Sequence, residues 1–368
     1  MAGVYLSYPF CAQKCTFCNF ASGVASDDVQ RHYERMLLRE IEHHDWKWLP
    51  ETIYWGGGTP SLMPLDEFAD AMRAIPAAHI KEATLECAPG SVTADRAQAW
   101  RAAGINRVSL GVQSFVEAET RRTGRKHSAE IVERELNMLA NAGISNINID
   151  LIAGLPGQTL ESWQTSLDWV ERLAPPHVSV YMFEIDEDSR LGREALLGKI
   201  RYGANALPPD DTVAEFYECA VERLKSAGLP RYEISNFARP DFESLHNLKY
   251  WTLEPYIGFG VDAHSFDGSL RWSNIDSAEE YIARLENHLN PGAGESLSDC
   301  EEEHFFVGLR LAAGIEPTEH EWSRFKDPIE RSLASGLLVQ DAKRLRLTNR
   351  GFLLSNEVFQ EFVYAPAI

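Results

Sequence analysis

The chain has 368 residues, with 35 basic against 55 acidic side chains and a formal charge of −20; this disfavours non-specific binding to nucleic acid or anionic membranes, which needs a basic surface, and leaves room only for a local basic patch. No apolar run approaches the roughly 20 residues of a spanning helix, and no signal-peptide pattern opens the chain. Six cysteines in a chain of this length are no disulfide framework, so the expected compartment is the reducing cytoplasm, with Cys87, Cys219 and Cys300 as buried free thiols.

Residues 3–7 predict a first strand, stopped by Pro9. Directly after it Cys11, Cys15 and Cys18 stand at C-x3-C-x2-C spacing. Thiolates so close in sequence can converge on one soft metal centre at little loop-closure cost. Three ligands are one short of an ordinary four-cysteine iron–sulfur site. A [4Fe–4S] cluster held here would keep one iron open to a small molecule. A zinc or purely structural cysteine cluster competes with that reading, but zinc knuckles usually come in pairs and no second one follows.

From Asp28 the spacing of Tyr33, Met36, Leu37 and Ile41 is helical, with Asp27 or Asp28 as the N-cap. The apolar strand 52–55 then ends in Gly56-Gly57-Gly58-Thr59-Pro60-Ser61. Three glycines against a buried strand are either a flexible turn or a cradle that lets backbone approach a ligand closely. Helices over 64–74, 93–103, 129–142 and 160–173 alternate with strands over 83–87, 107–112, 146–152 and 178–183. Six strand–helix units imply an α/β fold, a parallel sheet curved into a partial (βα)6 TIM-like barrel. Polar residues gather where its strands end: Glu86, Gln113, Ser114 and Asp150. A carboxylate in a buried strand is satisfied either by neighbouring backbone or by a site at the strand ends.

After residue 184 the pattern changes. Residues 208–211 cap a helix reaching about 227, and 233–237 predict a seventh strand. The segment His246-Asn247-Leu248-Lys249-Tyr250-Trp251 follows, and then an aromatic, glycine-rich stretch over 256–265. A histidine beside Tyr and Trp binds flat aromatic ligands, although a lone one more often satisfies a local hydrogen bond. The tail from about 297 reads helix, strand, turn, strand, helix, a winged-helix-like α+β region. Arg344, Arg346 and Arg350 lie there among acidic neighbours, which favours packing over DNA. The expected segments are 1–185 for the barrel, 186–295 for its extension and 296–368 for the C-terminal domain.

The cysteine loop and glycine run together resemble the radical S-adenosylmethionine enzymes. Over nearly the whole chain the resemblance is to the oxygen-independent coproporphyrinogen III oxidase-like family. It is carried by Gly56–Ser61, Asn106–Phe115, Gly124–His127, Asn148–Pro156 and Gly308–Leu311. The oxidases carry a further cysteine two positions after the third, where this chain has Phe20, and an N-terminal extension. The haem-chaperone branch, the HemW group, carries a His-Asn-x-x-Tyr-Trp signature associated with haem, which His246–Trp251 matches in full. The resemblance therefore implies a haem chaperone, with radical decarboxylation of coproporphyrinogen III to protoporphyrinogen IX as the alternative. Cleavage of S-adenosylmethionine is dormant in that reading.

Position by position, the resemblance implies that Cys11, Cys15 and Cys18 hold the [4Fe–4S] cluster. Tyr5, Phe17, Gly57, Gly58, Thr59 and Glu86 line the S-adenosylmethionine site. Gln113, Arg125 and Asp150 match contacts to a second S-adenosylmethionine in the oxidases, and His246 is the implied haem contact. The implied partners are haem and apo-haemoprotein acceptors, without nucleic acid. Peripheral membrane association through a haemoprotein and a homodimer are further expectations. Two positions depart from the family: Ser7 replaces a usual His linked to substrate or cluster surroundings, and Cys87-Ala88 replaces Ala-Asn near the nucleoside.

Overall fold

The computed structural model describes residues 2–76 and 78–363. Eleven strands form one sheet: β1 (Ala2–Tyr8), β2 (Pro50–Gly57), β3 (Glu82–Cys87), β4 (Arg107–Gln113), β5 (Asn146–Ala153), β6 (His177–Met182), β7 (Asn236–Ala238), β8 (Tyr256–Phe259), β9 (His264–Phe266), β10 (Leu270–Asn274) and β11 (Gly292–Leu297). Their order is β11-β10-β9-β8-β1-β2-β3-β4-β5-β6-β7. The run from β8 through β1 to β6 is parallel, and antiparallel strands finish both ends. The sheet is open, a partial barrel rather than a closed one.

The alternation along the strands sorts two faces. Val4, Leu6, Ile53, Trp55, Leu85, Val108, Leu110, Ile149, Leu151, Val178 and Val180 face the helices and form the main core with them. From the helices come Tyr33, Leu37 and Ile41 of Asp27–Glu42, Trp100 of Ala94–Ala102, and Trp163, Leu167 and Val170 of Leu160–Leu173. The other set is polar: Thr52 and Tyr54, then Glu82, Thr84 and Glu86, then Arg107 and Ser109, Asn148 and Asp150, His177 and Ser179. A recessed polar face must be hydrogen-bonded internally or meet a ligand, and much of this one is hydrogen-bonded internally.

Three expectations shift. The seventh strand lies at Asn236–Ala238, antiparallel to β6, rather than at 233–237; Glu233 instead bridges to Leu311. The stretch read as an aromatic loop contains β8, a parallel neighbour of β1. The first helix is capped by Ser26, whose hydroxyl accepts from the Val29 N–H, and not by Asp27 or Asp28, which occupy its first turn and complement the helix dipole.

A second hydrophobic cluster gathers Ile234, Phe305, Leu309, Phe325, Ile329, Leu345, Phe352 and Phe362. Around it the antiparallel hairpin of β12 (Leu338–Asp341) and β13 (Arg344–Leu347) is flanked by the helices Lys326–Ala334 and Ser355–Val363, a winged-helix-like arrangement. Arg344 pairs with Glu316 there. Among the described residues, no helix is long and apolar enough to cross a membrane.

Candidate functional site

The cysteine loop leaves the C-terminal end of β1 and is pinned on every side. Gly23 N–H donates to Pro9 O at 2.9 Å and Cys11 N–H to Gly23 O at 2.8 Å, closing the loop on itself. Thr16 N–H reaches Thr123 O at 3.2 Å, and Leu191 N–H reaches Thr16 O at 2.8 Å. Asn19 donates to Asp186 at 2.5 Å. Segments after β4 and β6 therefore help to fix the loop, and Phe10 anchors its start in the core.

The glycine run seats this loop. Gly58 N–H bonds Tyr8 O at 2.8 Å and Thr59 N–H bonds Phe10 O at 2.9 Å. A Cβ on Gly58 would stand 2.8 Å from Phe10 O and from the Pro9 carbonyl carbon, and Gly57 has φ +100°. One on Gly56 would stand 3.0 Å from the Tyr5 ring. Each glycine is thus required by close approach or backbone conformation. The Thr59 hydroxyl donates to Cys11 Sγ at 3.5 Å.

All six cysteines are free, and Cys11, Cys15 and Cys18 are partly exposed. Burial pushes the Cys11 thiol up, against the Thr59 hydrogen bond, and the Cys18 and Cys15 thiols add to the rise. No three His, Cys, Asp or Glu side chains among the described residues converge closely enough for a bare metal ion. A multi-iron cluster places each thiolate on a different iron and so spreads its ligands further. Free, neighbouring thiols on a braced loop, with a hydroxyl donor at one sulfur, fit that group.

Tyr5 and Tyr54 lie stacked at 6.2 Å on the polar face behind the loop. Tyr54 OH donates to Glu86 Oε1 at 2.8 Å. Burial, then the charge of Asp150, push Glu86 up to about 8, against the Tyr54 hydrogen bond. At neutral pH Glu86 is therefore largely protonated and able to donate as well as accept. Burial also raises Asp150, but Asn148 Nδ2 at 2.7 Å and the Ser109 hydroxyl at 3.1 Å satisfy both its oxygens.

At the end of β4 the ladder slips between Leu110 and Gln113, and Gln113 takes φ 70°. Such a bulge re-aims side chains at a rim. Gln113 Oε1 and Arg125 Nε are both buried without a partner, while Arg125 Nη1 donates to Gly111 O at 2.5 Å. Phe17 lies half-buried in the cysteine loop. Two residues escaped the sequence reading. Tyr54 shares its face with Gly56, two positions on, so strand alternation could have found it. His127 is buried with Nε2 unpartnered, and burial beside Arg125 lowers it to about 4; its motif neighbour Arg125 was the available signal.

His246 adjoins this group through Tyr54, on the side away from the cysteines. It is 0% exposed, its Nδ1 is 2.8 Å from Thr52 Oγ1, and its Nε2 is 2.7 Å from Tyr250 OH. Its ring stacks on Tyr54 at 5.2 Å and packs near Gly3, at the N-terminal ends of the strands opposite the cysteines. Burial, then Lys249, push it down to about 3, so it stays a neutral imidazole. Glu82 caps its helix, Leu245–Trp251, accepting from the N–H groups of Leu245 and His246 at 3.0 Å each.

Comparison with known proteins follows this geometry. The Radical SAM superfamily model matches residues 5–170. The heme chaperone HemW of Lactococcus lactis subsp. lactis (strain IL1403) is 32% identical, over 98% of this chain and 96% of its own length. Heme chaperone HemW of Escherichia coli (strain K12) is 36% identical, over 98% of this chain and 97% of its own. Among solved structures, coproporphyrinogen III oxidase (HemN) from Escherichia coli, a radical SAM enzyme, superposes with TM-score 0.84 at 23% identity. The match covers 98% of this chain and 89% of that one, and it shows a shared fold.

Proposed function

The chain belongs to the HemW family of radical SAM proteins, and on that premise we propose that it binds haem beside a [4Fe–4S] cluster and S-adenosylmethionine and hands the haem to apo-haemoproteins. The observation that carries this is similarity to haem chaperones along nearly the full chain, with Phe20 and the intact His246–Trp251 signature in place.

In this reading Cys11, Cys15 and Cys18 hold the cluster, which together with S-adenosylmethionine supplies one-electron chemistry when bound. The chain's own residues orient and enclose. Gly57, Gly58 and Thr59 bring backbone to the cluster loop. Tyr5, Phe17 and protonated Glu86 line the S-adenosylmethionine side, and Gln113 and Arg125 offer one unmet acceptor and one unmet donor. Asp150, already satisfied, orients the polar face. The segments 1–185, 186–295 and 296–368 divide the labour of cofactor site, haem signature and closing module. Exposed Phe20 and Ile185, on segments tied by Asn19 and Asp186, give an acceptor protein an apolar contact. His246 contacts haem after exchanging its Thr52 or Tyr250 hydrogen bond, and until then it positions the signature helix.

Anaerobically reconstituted protein, loaded with haem and mixed with an apo-haemoprotein, should pass the haem on, as followed by the Soret band. Retention of haem, or decarboxylated porphyrin on supplying coproporphyrinogen III, would overturn the proposal.

A further inference from the structure

Arg310 ends the short turn Gly308–Arg310, within the Gly308–Leu311 stretch that the cofactor site leaves unused. Its guanidinium lies over the Trp251 ring, 4.5 Å from the centroid, with the Phe359 ring at 6.0 Å. Three other recessed arginines are engaged by acidic side chains. Arg271 grips Glu303 through two nitrogens at 2.8 and 2.5 Å, Arg324 meets Asp299 at 2.7 Å, and Arg223 meets Asp168 at 2.8 Å. Among the described residues, Arg310 forms no ion pair or side-chain hydrogen bond, and its Nε is sealed from solvent without a partner. The indole N–H of Trp251 beneath it is likewise sealed and unpartnered.

The residue beside it, Leu311, bridges to Glu233 on the segment that leads into β7. Glu233, Glu184 and Tyr181 act electrostatically on Arg310, and Tyr181 in turn feels Asp150 and Glu86. Stacking on Trp251 fixes the guanidinium plane and leaves its terminal nitrogens free, the geometry that receives a carboxylate through two parallel hydrogen bonds. A recessed guanidinium without an acceptor is costly to maintain, and an anionic ligand group removes that cost.

We infer that Arg310, laid on Trp251, anchors a carboxylate arm of the bound tetrapyrrole. The inference rests on the haem-binding reading above and adds to it the residue that recognises the acidic edge of the cargo. Arg310 stands on the C-terminal module and Trp251 closes the signature segment, so this contact also ties the two together around the ligand.

The test compares haem with its dimethyl ester, in which both propionates are masked, using wild type, Arg310→Gln, Arg310→Lys and Trp251→Phe. Haem binding should weaken about tenfold to a hundredfold in Arg310→Gln, the range of a charge-assisted hydrogen-bond pair. Arg310→Lys should fall between, having charge without the fork. Trp251→Phe, which keeps the stack, should lose less. The ester should bind wild type and Arg310→Gln alike, and S-adenosylmethionine affinity should not move. Near-ultraviolet circular dichroism and the urea midpoint identify any variant that fails to fold, leaving Arg310→Lys to decide. Wild type that binds no haem sinks the functional reading and this inference together. Wild type that binds haem while folded Arg310 variants bind it equally well sinks the inference alone, as does a loss confined to S-adenosylmethionine.

Discussion

The two ends of the parallel strands carry similar polar residues and treat them in opposite ways. At the N-terminal ends, Thr52, His246 and Tyr250 form a closed chain, and Glu82 caps the signature helix. Nearby, His177 has one ring nitrogen on Asn148 at 2.6 Å and the other on Tyr232 at 2.9 Å. Its loose atoms are Arg107 Nε, 3.9 Å from Glu82, the Oγ1 of Thr84 in register with Arg107, and the indole N–H of Trp251 at the end of the signature helix. At the C-terminal ends Gln113, Arg125 and His127 keep buried atoms without partners, on the side of the three free thiols. Buried polar groups that build structure are mostly paired, so several unpaired ones gathered on the side of free thiols leave donors and acceptors for a ligand to meet. The floor holds the fold, and the rim receives.

The contrast is broken most severely at the thiols. Replacing Cys11, Cys15 and Cys18 with serine should abolish cluster iron altogether while shifting apo-protein stability by no more than about 1 kcal/mol, since the loop is held by backbone bonds. Iron and sulfide analysis with urea unfolding measures both. On the floor the pattern should invert. His246→Ala strands the Thr52 and Tyr250 hydroxyls and opens a cavity, costing about 3 kcal/mol or more. Unfolding of the apo-protein reads it directly; an unchanged midpoint with lost haem binding would make His246 a ligand residue first.

Gly58→Ala tests the seam between glycine run and cysteine loop. Its new methyl meets backbone rather than a yielding side chain, so a loss of about 1–3 kcal/mol and lower cluster occupancy are expected. The smallest effect is one of pH. Glu86 has a folded pKa of about 8 against an ordinary 4.5, so between those values the folded state binds the extra proton. Its contribution is full below the ordinary value and disappears as pH rises through about 8. Apo-protein stability should therefore fall from about pH 6.5 to 8, and Glu86→Gln should flatten that slope by at most about 2 kcal/mol. Glu34 and Glu40, each pushed up to about 7 by burial, act in the same direction and leave a residual slope.

Much of this was legible in the chain. Helical and alternating periodicities located the six strand–helix units because each buries one apolar stripe. The C-x3-C-x2-C loop and the glycine run announced themselves through rare residue types at fixed spacing. What escaped depended on partners distant in sequence. The strand Tyr256–Phe259 is short and holds a glycine, and only pairing with Ala2–Tyr8 makes it a strand. The residue pattern around His246 already favoured a local hydrogen bond, but it could not name Thr52, 194 residues away, as the partner of one ring nitrogen, with Tyr250 taking the other. Arg310 stands in a stretch that carries the family resemblance, yet its place on Trp251, 59 residues earlier in the chain, is visible only in the fold.

The division between rim and floor is tested most directly by hydrogen–deuterium exchange of the cluster-reconstituted protein with and without S-adenosylmethionine. Protection is predicted at residues 9–25, 56–59 and 111–127, with the amides of 244–247 unchanged. Protection confined to 244–247, with the cysteine loop and glycine run unaffected, would contradict it.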